Sequence, residues 1–221
     1  MNYQLITQTE LFRGITQEDA KAMLHCLQAV ERKYSKGSFI YRQGDKIEAA
    51  GVILSGAVHV VQNDIWGNQN LLANVVPGEL FSETYACLPG QDSMVDVIAA
   101  KDCEILFLNT KKVLKSCSSA CVFHSRLIQN LLSVLAAKNL ELTQKIQHTA
   151  PKSIRERVLS YLSYQAMKQG KFQFEIPFSR QQFADYLCVD RSALSNELSK
   201  MQKEGVIEYK KNYFSLHKKE V

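Results

Sequence analysis

Through the first half of the chain, apolar residues come in short bursts, several alternating with polar ones: Ser38 to Tyr41, Gly51 to Leu54, Val58 to Gln62, Asn70 to Val76, Met94 to Ala99 and Glu104 to Asn109. Alternation with a period of two places every second side chain on one face, as in a half-buried strand. Glycines at positions 37, 44, 51, 56, 67, 78 and 90 punctuate these runs. Short strands separated by glycine turns predict an antiparallel barrel or roll rather than βαβ units. Ahead of them, residues 7 to 30 predict a helix with Leu11, Ile15, Met23 and Leu27 on its buried face.

From Ser118 to Gln147 the spacing changes to steps of three and four, with Val122, Ile128, Leu131, Leu132, Leu135, Leu142 and Ile146 on the apolar side and no glycine or proline between them. Such a helix is about 45 Å long. One small roll cannot cover the whole stripe, so a homodimer formed by pairing two copies of the helix is expected; packing on the roll alone is the alternative. Pro151 ends the helix, because it lacks a donor and disfavours helical geometry in the residue before it. The domain boundary is therefore expected there, giving units of 1–149 and 150–221. Beyond it the pattern predicts helices over Ser153 to Met167, Ser179 to Leu187 and Asp190 to Glu204. A strand is predicted from Phe172 to Ile176, and a hairpin of Val206 to Lys210 and Tyr213 to Leu216 closes the chain. The fold class is α+β: an N-terminal antiparallel β-roll, a long dimerisation helix and a C-terminal winged helix-turn-helix.

Charge sharpens this division. The net charge is +5, and all of it lies beyond residue 149, where 13 Lys and Arg stand against 8 Asp and Glu. A basic C-terminal module beside a neutral one points to a polyanionic partner. No apolar run approaches the roughly 20 residues that span a bilayer, and the start of the chain lacks the pattern of a secretory leader. A cytoplasmic protein without membrane contact is expected. Its six cysteines, with no Cys-x-x-Cys pair, then read as reduced thiols.

In the segment from Arg180 to Leu198, Ala184 permits close helix approach, while Phe183, Leu187, Val189, Leu194 and Leu198 supply the contacts. Arg191, Ser192, Ser195 and Asn196 remain for the outer face of the second helix, near its start. These are groups that read base edges in a major groove, with Arg191 suited to guanine and Asn196 to adenine or a phosphate. Ser179 caps the first helix, whose start suits a phosphate, so Ser179 and Arg180 are expected to contact DNA there, and Lys210 and Lys211 mark the wing as a phosphate contact.

These features resemble the CRP/FNR family of bacterial transcription regulators over nearly the whole chain. Gly44-Asp45, Leu54-Ser55-Gly56-Ala57-Val58 and Pro77-Gly78-Glu79-Leu80-Phe81-Ser82-Glu83 stand where the family's cyclic-nucleotide-binding-type roll has its glycine turns. Phe183-Ala184, Arg191 to Leu198 and Gly205-Val206-Ile207 match its DNA-binding motif. The resemblance implies a regulator, not an enzyme, that binds double-stranded DNA at an inverted-repeat operator, with RNA polymerase as a further partner.

Departures from the family pattern bear on mechanism. Ser192 and Asn196 occupy positions where guanine-reading members carry glutamate and a second arginine, so the half-site is expected to differ. Cys188 stands at the usual turn glycine. In the roll, Ser82 replaces a glycine beside the retained Glu83, and the arginine and serine that clamp a cyclic phosphate align with Ser93 and Met94. Cyclic AMP is therefore not the expected effector. An unidentified small molecule is expected between the roll and the long helix, lined by Ser82, Glu83, Thr84, Ser93, Met94, Asn139 and Thr143. Cys117, Cys121 and His124, at i, i+4 and i+7, leave a thiol redox or metal sensor open. A regulator without ligand is a further alternative, and an enzyme using Cys87 or Glu83 finds no supporting motif.

Overall fold

The computed structural model describes residues 1–66, 69–88, 90–114 and 122–217. The chain divides into two compact units, Met1–Leu135 and Ala136–Val221.

The first unit opens with helix α1 (Tyr3–Thr7), a single 3-10 turn (Glu10–Phe12) and helix α2 (Gln17–Cys26). Within residues 7 to 30, the single helix expected is thus replaced by the end of α1, the 3-10 turn and α2. Gly14 takes φ +76°, the Thr16 side chain caps α2 by accepting from the Asp19 N–H, and Gln28 at φ 51° turns the chain into a strand. Leu11, Ile15, Met23 and Leu27 are nevertheless all buried, so the apolar spacing marked the core although the element was broken. The roll follows as β1 (Val30–Tyr34), β2 (Phe39–Tyr41), β3 (Ala49–Ser55), β4 (Val58–Asn63), β5 (Gln69–Val75), β6 (Leu80–Phe81), α3 (Glu83–Cys87), β7 (Asp96–Ala99), β8 (Cys103–Asn109) and α4 (Thr110–Leu114).

These strands form two antiparallel sheets, in orders β1-β8-β3-β6 and β2-β7-β4-β5. Strand β1, Val-Glu-Arg-Lys-Tyr, has no alternating pattern because it is an edge strand paired only with β8. Phe81, Ile53, Val58, Val97 and Ile105 form one apolar cluster of the roll. A tight approach fixes the β3–β4 turn: a Cβ on Gly56, which has φ +80°, would lie 2.2 Å from the Asp102 carbonyl oxygen.

Helix α5 (Val122–Thr149) ends two residues before Pro151. Its apolar residues serve two different faces. Leu127 and Leu131 are buried in the core of the first unit with Leu11, Phe12 and Leu24, and Ile128, Val134 and Leu135 pack partly against that core. Leu132, Leu142 and Ile146 remain 60%, 62% and 65% exposed.

The second unit contains α6 (Ile154–Gln169), β9 (Gln173–Glu175), α7 (Arg180–Tyr186), α8 (Arg191–Lys203), β10 (Ile207–Lys210) and β11 (Tyr213–Leu216). Ser153 and Glu156 form a capping box at the start of α6, and Gly170 in the left-handed region stops it. The expected hairpin gains a third strand, β9, in the order β10-β11-β9. Phe174, Phe183, Leu187, Leu194, Leu198, Met201, Ile207 and Phe214 close the core.

His148 at the end of α5 is 2% exposed within this unit. Its ring lies against Tyr161, Tyr164 and Tyr186, and its Nδ1 is 3.1 Å from the Ser160 Oγ. That hydroxyl donates to the Gln147 carbonyl, which makes it an acceptor for an Nδ1–H. Nε2 is buried without a hydrogen-bond partner. Burial holds the imidazole below its ordinary value of 6.5. As pH falls through that value the unfolded chain takes up a proton that the buried ring refuses. Stability should therefore fall, by at most about 1.4 kcal/mol per pH unit, until the folded ring also protonates. Urea unfolding at pH 7.5 and 5.5 should show His148→Phe losing less stability on acidification than the wild type; equal losses would show that the ring stays unstrained when charged.

Candidate nucleic acid interface and sensor site

Helices α7 and α8 meet through Phe183, Ala184, Leu187, Leu194 and Leu198, all fully buried. Burial of that side of α8 turns Arg191, Ser192 and Asn196 outward, all exposed, with Ser195 half-buried beside them. The N-cap is Asp190, whose carboxylate accepts from the Ala193 N–H and from the Ser192 hydroxyl. The Ser192 hydroxyl and the helix amides hold the Asp190 carboxyl below its usual range. Ser195 is similarly engaged, donating to the Arg191 carbonyl at 2.9 Å. The two serines thus spend their donors on α8 itself and offer only acceptor lone pairs outward. Arg191 and Asn196 keep free polar ends: neither side chain makes a hydrogen bond or ion pair among the described residues.

Four groups position this face. Arg155 on α6 binds Glu197 of α8 and Glu204 just past its end through Nε and Nη1, each at 2.7 Å. Arg157 donates from Nη1 to the carbonyls of Leu187 and Cys188 at 3.1 and 3.2 Å, and from Nε to Pro151 at 2.8 Å. Its clasp holds the turn where Cys188 takes φ 54°, a left-handed conformation that glycine adopts more readily. For a residue with a Cβ that conformation costs roughly 1–2 kcal/mol. Ser179 and Gln182 form a capping box on α7. The guanidinium of Arg180 stacks 4.9 Å from the Tyr209 ring centre and donates to the Lys211 carbonyl at 3.4 Å. Through that stack and that hydrogen bond the arginine braces the wing, and burial lowers its pKa. Lys210 and Lys211 project from the β10–β11 turn and are exposed. The bracing roles of Arg155 and Arg157 have no signal in sequence, because their partners lie about 30 to 50 residues away.

Residues 31–120 match the family model of the cyclic nucleotide-binding domain, and residues 156–220 match that of the Crp-like helix-turn-helix domain. The chain belongs to the CRP/FNR family of transcription regulators. It is 28% identical over 201 residues to the cyclic AMP receptor protein of Thermus thermophilus, covering 89% of this chain and 87% of that protein. To the transcriptional activator protein FnrL of Cereibacter sphaeroides it is 23% identical over 186 residues, covering 80% and 71%. Among solved structures, the Thermus thermophilus catabolite activator protein aligns with a TM-score of 0.51 at 23% identity, over 95% of this chain and 94% of that one. OCPA-complexed CprK aligns at 0.64 and 16% identity, over 89% and 88%. These two likenesses show the fold. As a Crp-like regulator the chain binds DNA through its helix-turn-helix.

On the sensor side, Ser82 precedes α3 with φ 58° and ψ 10°, a left-handed conformation that glycine adopts without steric cost. Glu83 is 5% exposed, whereas Thr84 is exposed. The Met94 N–H donates to the Tyr85 hydroxyl at 3.2 Å, so α3 and the segment before β7 are tied together. Ser93 departs from its expected role. It is 1% exposed, and its hydroxyl donates to the Val95 carbonyl at 2.7 Å, closing a local turn rather than facing a ligand. Met94 is 56% exposed and carries no charge. The pair that aligns with the phosphate clamp therefore presents neither a cation nor a free donor, and the residues present do not fit a cyclic phosphate. Asn139 and Thr143 belong to the second unit and are exposed on α5, where the Thr143 hydroxyl donates to the Asn139 carbonyl at 2.9 Å. Cys117 and Cys121 lie outside the described residues. His124 is buried, with Nε2 2.7 Å from the Val113 carbonyl. Among the described residues no group of three His, Cys, Asp or Glu stands close enough to hold a metal, and no helix is long and apolar enough to cross a membrane.

Proposed function

We propose that this regulator binds an inverted-repeat operator as a homodimer through α8, and that a small effector other than cyclic AMP, held by the N-terminal unit, sets its DNA affinity. Residues 1–149 sense and dimerise; residues 150–221 read DNA. The observation carrying the DNA reading is the outer face of α8, where Arg191 and Asn196 keep free polar ends while a buried underside and the Arg155 and Arg157 clasps hold the helix. Arg191 reads a guanine edge and Asn196 an adenine edge or a phosphate, with Ser192 and Ser195 as acceptors beside them. Lys210 and Lys211 meet phosphates from the wing that Arg180 braces, and Ser179 sets the start of α7. Ser82, Glu83, Thr84 and Met94 contribute to the effector site, and RNA polymerase is the partner through which bound regulator acts.

Selection of bound sequences from a random DNA pool tests the DNA reading. Two half-sites in inverted orientation, centred about 34 Å apart, are expected; a single unrepeated site would overturn the two-fold arrangement. For the effector, a ligand at 100 times its dissociation constant stabilises the native state by roughly 2.7 kcal/mol, which is readily seen as a melting shift. Cyclic AMP at millimolar concentration should leave the melting temperature unchanged. A clear rise would show that some cation outside the Ser93–Met94 segment meets the phosphate.

A further inference from the structure

Helix α5 carries two apolar stripes, and the outer one has a regular spacing. Ile128, Leu132, Leu135, Asn139, Leu142 and Ile146 follow one another at intervals of four, three, four, three and four. That is the a/d pattern of a two-stranded coiled coil, with Leu132, Asn139 and Ile146 at a and Ile128, Leu135 and Leu142 at d. Leu127 and Leu131 fall outside this register and are the residues the chain buries in its own core, whereas Leu132, Leu142 and Ile146 stay exposed. Asn139 is the one polar residue in the register between Ile128 and Ile146. Its side chain is exposed and makes no hydrogen bond among the described residues.

We infer that Asn139 selects the partner of this seam: it pairs with Asn139 of a second copy in a parallel, in-register helix pair and rejects helices that offer an apolar side chain at that height. The inference rests on the homodimer proposed above and deepens it. The occupant must be a helix with the same three-four spacing, because an irregular surface would not fill the holes between successive layers. It must also supply a hydrogen-bonding partner in the middle of an otherwise apolar seam, since a buried amide without one is costly. In a parallel pair a residues meet a residues, so the two carboxamides meet and each can donate to the other. In an antiparallel pair a meets d, which would set Asn139 against isoleucine or leucine. A one-heptad slip would set it against Leu132 or Ile146. Only an identical chain in register satisfies the amide, so the residue that weakens the seam also specifies it.

Three variants of the full chain test this. Asn139→Leu should tighten the dimer by about tenfold or more in sedimentation, because it exchanges a buried amide for apolar contact. When differently tagged wild type and Asn139→Leu are mixed and allowed to exchange, mixed dimers should fall well below the statistical share, since each would leave one amide opposite leucine. Asn139→Cys should give a covalent dimer on mild oxidation, while Leu140→Cys, one position round the helix, should not exceed the wild-type background set by the native cysteines. An unchanged dissociation constant, statistical mixing, or equal cross-linking at the two positions would overturn the role of Asn139 even if the protein is a dimer. A wild-type chain that sediments as a monomer at micromolar concentration would instead overturn the homodimer itself, and this inference with it.

Discussion

Replacing Leu142 with glutamate will convert the protein into a folded monomer. Leu142 is 62% exposed in the single chain, so a carboxylate there costs the subunit little. In the proposed seam the same carboxylate faces its symmetry mate. Two like charges enter an apolar layer, each with a desolvation cost of several kcal/mol and no counter-ion to repay it. The dimer dissociation constant should therefore rise by about a thousandfold or more, a change of roughly 4 kcal/mol. Sedimentation at micromolar concentration should report a monomer with an unchanged circular dichroism spectrum. Affinity for an inverted repeat should fall in parallel, because each half-site is then bound alone. Leu135 is a poorer position for this test: it packs partly against the core of the first unit, and a charge there would disturb the fold as well as the seam. If Leu142→Glu sediments like the wild type, the exposed stripe of α5 is not the dimer contact.

Arg191→Ala should weaken binding to the preferred operator by about 1 to 3 kcal/mol and relax selection at one base pair in each half-site, the signature of a lost bidentate contact to guanine. The side chain is exposed at the start of α8 and has no ion pair among the described residues, so its removal should leave the unit's core intact. Loss of a phosphate contact behaves differently, lowering affinity for all sequences alike and flattening the salt dependence. That second behaviour is expected of Lys210→Ala and Lys211→Ala in the wing. Selection from the same random pool by wild type and Arg191→Ala separates the two cases. If both proteins choose the same sequence with the same strictness, another side chain reads that base pair.

Much of this architecture was legible from local pattern. The alternating runs and glycine turns of the roll, the uninterrupted helix ending before Pro151, and the helix, strand, two helices and hairpin that follow all appear within a residue or a few of their expected places. The outward face of α8 was legible too, because on a short amphipathic helix the apolar residues locate the buried side and leave Arg191, Ser192, Ser195 and Asn196 for the other. What failed was the opening helix, where apolar spacing persisted although helical geometry stops at Gly14 and restarts after Thr16, and β1, whose edge position removes the need for alternation.

The sequence by itself therefore determined the order of elements, the family and the outward face of α8, because each depends on neighbours within a few residues. Tertiary structure alone decided which apolar residues of α5 the chain keeps for its own core, that the Ser93 hydroxyl turns back onto its own segment, and that Arg155 and Arg157 clasp α8 and the turn before it while Arg180 stacks on the wing. Those outcomes depend on packing and on contacts such as Arg155 with Glu197, Arg157 with Leu187 and Arg180 with Tyr209, between groups far apart in the chain. No periodicity encodes such pairs; they exist only once the helices have closed on a common core.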